Sequence, residues 1–379
     1  MNTKLYDADA HVVEPPDVWQ NRVPGKLRAL APRVVKKEDG NDAWCFEDGK
    51  RKSTLGMLLA TPGVSPTLWT LAGTTYESMR PGAYDPRARL QDMDIDMVHA
   101  QVLHPSVALG GPAGFSETNA ELQVACTVAY NDWISEFCRA DPARLHGLGL
   151  IPVTGIDAAI AELERIGNLS SMCGVMLSAF PNGGTSPLPE DDRFWARAQE
   201  MNLPIIIHVS LLGGEGEGSD EVFALPSKPL ILARINLERS ARGIMDAMSQ
   251  IILTGILERF PRLCVIGTET GIGWIPYFLE QTDDNYLRHR FWAQTELRML
   301  PSEYFYRQCF ATFQVDTYGV ANRAPMLDNI MWSSDYPHSG ADWPNSVVSV
   351  QRHMAGVPEP EQVKILQSNC VRAFGLGAP

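Results

Sequence analysis

Asp9 and His11 stand two residues apart in the run LYDADAH (5–11). Side chains alternate along an extended chain, so a pair at this spacing projects to one side. A carboxylate oxygen and an imidazole nitrogen presented together are half of a site suited to zinc, manganese or iron. Asp7 shares that face one step deeper and is expected to be structural. Taken alone, D-x-H is a pattern that chance supplies readily. Its weight comes from what ends the other apolar runs. His208 closes the run PIII within PIIIHVS (204–210), where a satisfied core histidine is the plain alternative. Asp335 lies in IMWSSDYPH (330–338), where an ordinary turn aspartate before Tyr336 and Pro337 would also fit. Together Asp9, His11, His208 and Asp335 offer two imidazoles and two carboxylates. Three or all four can bind one dication and still leave a position for water or substrate.

Chemistry at such a centre needs a proton-transfer partner. Glu269 at the end of LCVIGTET (263–270), His338 beyond Asp335, and His104 near the end of VHAQVLHPSV (98–107) are the candidates. Glu269 ranks first, because it ends an apolar run and precedes Thr270 and Gly271. A carboxylate serving a helix N-terminus near Trp274 is the alternative. Asp335 is a second candidate base, and His104, Glu14 and Trp274 are expected to contact substrate.

These residues must be positioned by a repeating scaffold. Eight apolar runs of strand length occur, at 5–11, 98–107, 145–153, 173–180, 204–210, 263–270, 309–316 and 330–338. Between them helical periodicity is expected at Asp85–Asp96, Ser116–Ala140, Gly155–Ile166, Pro189–Asn202, Leu237–Phe260, Gly273–Arg288 and Tyr318–Leu327. Eight strands alternating with helices predict an α/β fold closed as a (β/α)8 barrel, whose catalytic groups come from the C-terminal ends of several strands. An open sheet with an antiparallel edge is the alternative, and no GxGxxG follows the first strand to support a dinucleotide-binding reading. The whole chain, 1–379, is read as one domain. Residues 14–84 form a long insertion after strand one, with Trp19, Trp44 and Trp69, expected to act as a cap or an oligomerisation segment. The glycine-rich LLGGEGEGSD (211–220) is either a mobile lid or a solvated connector.

The 379 residues are 45% hydrophobic and 20% charged, the composition of an ordinary globular chain. A formal charge of -13, with scattered Lys and Arg, argues against nucleic acid. No stretch is long and apolar enough for a membrane helix, and the N-terminus carries no signal-peptide core, so a cytoplasmic location is expected. The seven cysteines, with no CxxC pair, read as small buried hydrophobes. A small-molecule substrate is the expected partner, and assembly as a homodimer or homotetramer is open.

Beyond these separate features, DADAHVVEPPDVW (7–19), the strand-end His208, ETGIGWIPYFLEQTDD (269–284), SEYFYRQCFATFQVD (302–316), WSSDYPHSGADWP (332–344) and NCVRAFGL (369–376) resemble the amidohydrolase-related family. This branch of the amidohydrolase superfamily includes aminocarboxymuconate-semialdehyde and γ-resorcylate decarboxylases. The resemblance spans nearly the whole chain, and the combination of D-x-H-x-x-E, ExGxGW and SDYPH is specific to it. It implies a metal-dependent TIM barrel in which Asp9, His11, His208 and Asp335 surround one divalent ion, with zinc expected first and manganese or iron next. Two positions depart from the family's pattern. Glu269 stands where the better-known decarboxylases have a histidine, and Asp9 where many members have His or Glu. The leading expectation is therefore a hydrolase in which metal-activated water attacks a carbonyl-containing, aromatic or similar small substrate, Glu269 or Asp335 takes the proton, and His338 orients or donates. Non-oxidative decarboxylation of an aromatic or unsaturated acid is the alternative, and a metal-binding barrel without activity is the third reading.

Overall fold

Each of the eight apolar runs becomes a strand, and the strands pair in sequence order. The computed structural model describes residues 3–49, 51–54, 62–69, 74–209, 226–238 and 241–377. The strands are β1 (Leu5–Val12), β2 (Val98–Pro105), β3 (Leu145–Leu150), β4 (Met172–Leu177), β5 (Ile205–His208), β6 (Val265–Thr268), β7 (Cys309–Phe313) and β8 (Ile330–Trp332). Every neighbouring pair is parallel. The ring closes beyond the end of β8, where Asp335 N–H donates to Asp9 O at 2.9 Å and His11 N–H to Tyr336 O at 2.6 Å. The result is a (β/α)8 barrel. The glycine-rich 211–220 lies outside the described residues.

Apart from β1, which runs one residue past its apolar run, the strands are shorter than the runs. Val209, Glu269 and Asp335, each just past a strand, all have left-handed backbones, with φ of 58°, 65° and 59°. On the outside, strand glycines let helices approach. A Cβ on Gly267 would stand 3.0 Å from Ile244 Cγ2, and one on Gly149 would stand 2.5 Å from Ile166 Cδ1.

The helix layer departs from the periodicity reading in several places. Asn119 caps the helix Ala120–Cys138 by accepting from Leu122 N–H, so the element starts four residues later than expected. The helix expected over Leu237–Phe260 is divided into Arg242–Leu253 and Ile256–Arg259, separated at Gly255 with φ 74°. The expected Tyr318–Leu327 is only a short helix, Thr317–Ala321, followed by a 3-10 turn containing Pro325. Helices at Lys228–Glu238, Pro301–Gln308, Ser346–His353 and Asn369–Phe374 were not anticipated.

The insertion after β1 contains a short helix, Val18–Arg22, and a three-stranded antiparallel sheet of Arg33–Lys36, Asp42–Phe46 and Arg51–Thr54. Trp19 and Trp44 are buried in the core it shares with the barrel. Trp19 is fully buried, donates from Nε1 to Cys126 O at 3.1 Å, and meets Trp44 and Phe115 edge-on. All seven cysteines are free and six are buried, as the sequence indicates. Among the described residues, no helix is long and apolar enough to cross a membrane.

Trp19 thus serves packing. Trp19→Ala is expected to cost about 3–5 kcal/mol of stability, measured by urea unfolding followed by circular dichroism. A change within about 0.5 kcal/mol would contradict this account.

Candidate metal centre

The candidate residues sit where β1, β2, β5 and β6 end and where the chain leaves β8. The alternation on β1 turns Asp7, Asp9 and His11 toward the barrel interior, each fully or almost fully buried. Asp7 lies deepest and fastens the closing seam. Its carboxylate accepts from Ser334 N–H at 2.8 Å and from Gln101 Nε2 at 3.0 Å. Burial raises its pKa to about 6, against the pull of the Ser334 contacts.

One level up, four donor atoms converge. His11 Nε2 lies 3.2 Å from His208 Nε2, 3.4 Å from Asp9 Oδ1 and 3.6 Å from Asp335 Oδ1. His208 Nε2 lies 3.8 Å from Asp9 Oδ1. Ligands bound tetrahedrally at about 2.0–2.1 Å would stand about 3.3–3.4 Å apart, so the separations among Asp9, His11 and His208 suit a single dication, with Asp335 reaching the cluster at His11. Two further observations agree. Asp9 Oδ1 is buried and accepts no hydrogen bond. The other ring nitrogen of His11, Nδ1, lies 2.8 Å from Pro105 O, which can only accept. The His11 proton is therefore on Nδ1, and Nε2 turns a lone pair toward the cluster, the arrangement usual for a metal-binding imidazole.

The electrostatics fit the same use. Burial, reinforced by His338 and His208, holds His11 well below its ordinary pKa, so the ring is neutral. Burial raises Asp9, opposed by the positive influence of His104 and His208. For His208 burial alone would favour the neutral ring, but Glu269 Oε2 at 3.0 Å outweighs it and lifts the pKa to about 9.

Around the cluster stand the other expected residues. Glu269 lies one residue beyond β6. It pairs with His208 and receives support through its N–H, which donates to Thr312 Oγ1 at 3.0 Å, while Thr312 donates onward to Asp9 Oδ2 at 3.3 Å. The alternative of a carboxylate serving a helix end is not realised, since the next helix begins at Ile275. His338 stacks on His11 with ring centroids 3.9 Å apart, and its Nδ1 lies 2.9 Å from Asp335 Oδ1. His104 Nδ1 makes its hydrogen-bond contact with Ala10 O at 3.3 Å and lies 3.2 Å from Asp9 Oδ1, and burial lowers its pKa to about 3.

Two residues expected to contact substrate are engaged elsewhere. The Glu14 carboxylate is fully buried and accepts from the backbone N–H groups of Ser106, Val107 and Ala108 at 3.4, 2.8 and 3.0 Å. Burial raises its pKa to about 7, although all three donors oppose this. Trp274 packs against Phe278 and Phe305 and donates to Gly271 O. Sequence reasoning missed Ser106, Thr312 and Arg89. The buried Arg89 guanidinium donates to His11 O and Gly82 O. Alternation from His104 could have flagged Ser106, but nothing local marks Arg89.

A sequence profile of the family described as Amidohydrolase matches residues 6–376. The decarboxylase orsB of Emericella nidulans is 25% identical over 266 residues, covering 67% of this chain and 76% of its own. The gamma-resorcylate decarboxylase of a Polaromonas species is 23% identical over 232 residues, covering 56% and 67%. Among solved structures, an amidohydrolase from Mycobacterium avium subsp. paratuberculosis superposes with a TM-score of 0.76 at 18% identity, covering 100% of this chain and 99% of its own. A 5-carboxyvanillate decarboxylase from Novosphingobium aromaticivorans, solved with manganese and a nitrobenzoic acid, gives 0.65 at 13% identity, with 99% and 97% covered. At such identities the superpositions support the barrel fold.

Two trios of donors overlap at His11: Asp9, His11 and His208, and His11, Asp335 and His338. Elemental analysis after dialysis is expected to find about one divalent ion per chain, lost in His11→Ala and Asp9→Ala but kept in His338→Ala. Loss in His338→Ala would move the site to the second trio. Because His208 holds its proton up to about pH 9, binding must displace that proton. Apparent affinity is therefore expected to rise about tenfold per pH unit from 7 to 9, measured by chelator competition.

Proposed function

The chain belongs to the amidohydrolase family and is an enzyme of the hydrolase or carboxy-lyase kind, and within that frame we propose that it is a metal-dependent non-oxidative decarboxylase of an aromatic or unsaturated carboxylic acid. The order of the two readings drawn from the sequence is thereby reversed, since both curated relatives described above are decarboxylases. The observation that carries the reading is the placement of the buried Glu269 carboxyl, 3.0 Å from His208 Nε2, against the converging donor atoms.

In this reading Asp9, His11, His208 and Asp335 hold one divalent ion, and the mixed nitrogen and oxygen set accepts zinc, manganese or iron. Bound there, the ion supplies Lewis-acid attraction for the substrate carboxylate and a neighbouring hydroxyl or keto oxygen. The rest of the work falls to the protein. Loss of CO2 leaves an electron pair on carbon, and that carbon must receive a proton. Glu269 is placed to supply it, because its almost fully buried carboxyl lies 3.0 Å from His208 Nε2, beside the converging donor atoms. His338, fixed between Asp335 and Ser106, orients the substrate or its proton.

Incubation of the metal-loaded enzyme with a panel of hydroxylated aromatic acids is expected to release CO2 in equal amount to the substrate lost, with no oxygen from labelled water entering the product. Incorporation of that oxygen without CO2 release would restore the hydrolase. Glu269→Gln is expected to keep the metal and lower kcat by about a hundredfold or more.

A further inference from the structure

Three side chains beside the donor cluster stand in line. His338 Nδ1 lies 2.9 Å from Asp335 Oδ1, and His338 Nε2 lies 2.9 Å from Ser106 Oγ. All three residues are buried. A carboxylate, an imidazole and a hydroxyl in this order are also the members of a nucleophilic triad, so two roles compete for Ser106.

The loop around Ser106 decides between them. A serine nucleophile needs preorganised donors for the oxyanion that forms when it attacks an acyl group, and backbone N–H groups at the serine commonly provide them. Here the N–H groups of Ser106, Val107 and Ala108 all donate to the Glu14 carboxylate. These three N–H groups are therefore already taken by a carboxylate of the same chain and are not free for a tetrahedral oxyanion.

The same clamp suits Ser106 to another task. Glu14 fixes the backbone of the loop. Tyr76 in turn fixes Glu14 by donating to its carbonyl at 2.6 Å, and Trp44 Nε1 donates to the Tyr76 hydroxyl at 3.0 Å. The Ser106 hydroxyl is thus held at a set place relative to β1. The His338 ring is restrained on three sides: Asp335 at Nδ1, Ser106 at Nε2, and the stacked ring of His11 on its face. Rotation of the ring by half a turn about its Cβ–Cγ bond would break both nitrogen contacts at once.

We propose that Ser106 is a positioning residue, whose hydroxyl, anchored through Glu14 to the insertion, fixes the His338 imidazole against Asp335 and so supports turnover without holding substrate or metal. The effect on turnover rests on the decarboxylase reading; the effect on the ring does not.

The test uses the metal-loaded full chain with nitrogen-15 histidine. The His338 ring signals are assigned by their absence in His338→Asn. Without any substrate, Ser106→Ala is expected to shift the His338 ring signals while the metal content stays the same, and Ser106→Thr is expected to restore them. With a turned-over acid, Ser106→Ala is expected to lower kcat about tenfold, the order of one lost hydrogen bond at a polar site, and to leave KM within about twofold. Should Ser106→Ala fail to fold, Ser106→Cys takes its place. Unmoved His338 signals would overturn the proposal, as would loss of metal, a rise in KM with kcat preserved, or labelling of Ser106 by a fluorophosphonate. If the signals shift as expected but the wild-type chain releases no CO2 from any acid, the reaction assignment fails and the positioning role stands.

Discussion

The seam between β1 and the segment after β8 is the contact on which the rest depends. Two backbone hydrogen bonds close the barrel there, from Asp335 to Asp9 and from His11 to Tyr336. Three of the four converging donor residues lie on those two bonds. Closure of the sheet and assembly of the centre are therefore one event, and an opened seam would separate Asp9 and His11 from Asp335. Asp7 secures the seam from below through Ser334, and Arg89 secures it from the side by donating to the His11 carbonyl. Buried charge in such a place is costly unless hydrogen-bonded, and each of these groups has partners.

Above the seam the structure accepts local strain to aim its side chains. Glu269 and Asp335 both adopt left-handed backbones, at a cost on the order of 1–3 kcal/mol each. The gain is direction. A residue continuing the strand would have to face either the interior or the helices, whereas a left-handed turn brings the carboxylate over the end of the barrel. Asp tolerates that conformation better than most residues, which suits Asp335. Packing of imidazoles beside carboxylates offsets part of the desolvation. Asp9, with His11, His104 and His208 all within 3.8 Å, is the centre of that balance.

The insertion after β1 is linked to the centre mechanically as well as by chain connectivity. Trp44, Tyr76 and Glu14 form a line of contacts that ends on the loop carrying Ser106. Ser106 in turn contacts His338, so the line of contacts runs from the insertion to the ring beside the donor cluster.

Hydrophobic periodicity alone specifies the eightfold alternation of apolar runs, and with it the barrel. It also determined Asp9 and His11 as a pair on one face and His208 at a strand end. Those readings depend on periodicity, which survives burial because both faces of an inner strand must be filled. Where Glu269 points was decided only in three dimensions, because alternation stops when the strand stops and a left-handed turn leaves no pattern in composition. The setting of Glu14 was decided the same way: three backbone donors 92 to 94 residues away claim a carboxylate that spacing places beside the candidate metal ligands. Helix ends moved because caps such as Asn119 and breaks such as Gly255 act on single residues within a longer apolar period. The line from Asp335 through His338 to Ser106 joins residues up to 232 positions apart, a separation that only closure of the barrel removes.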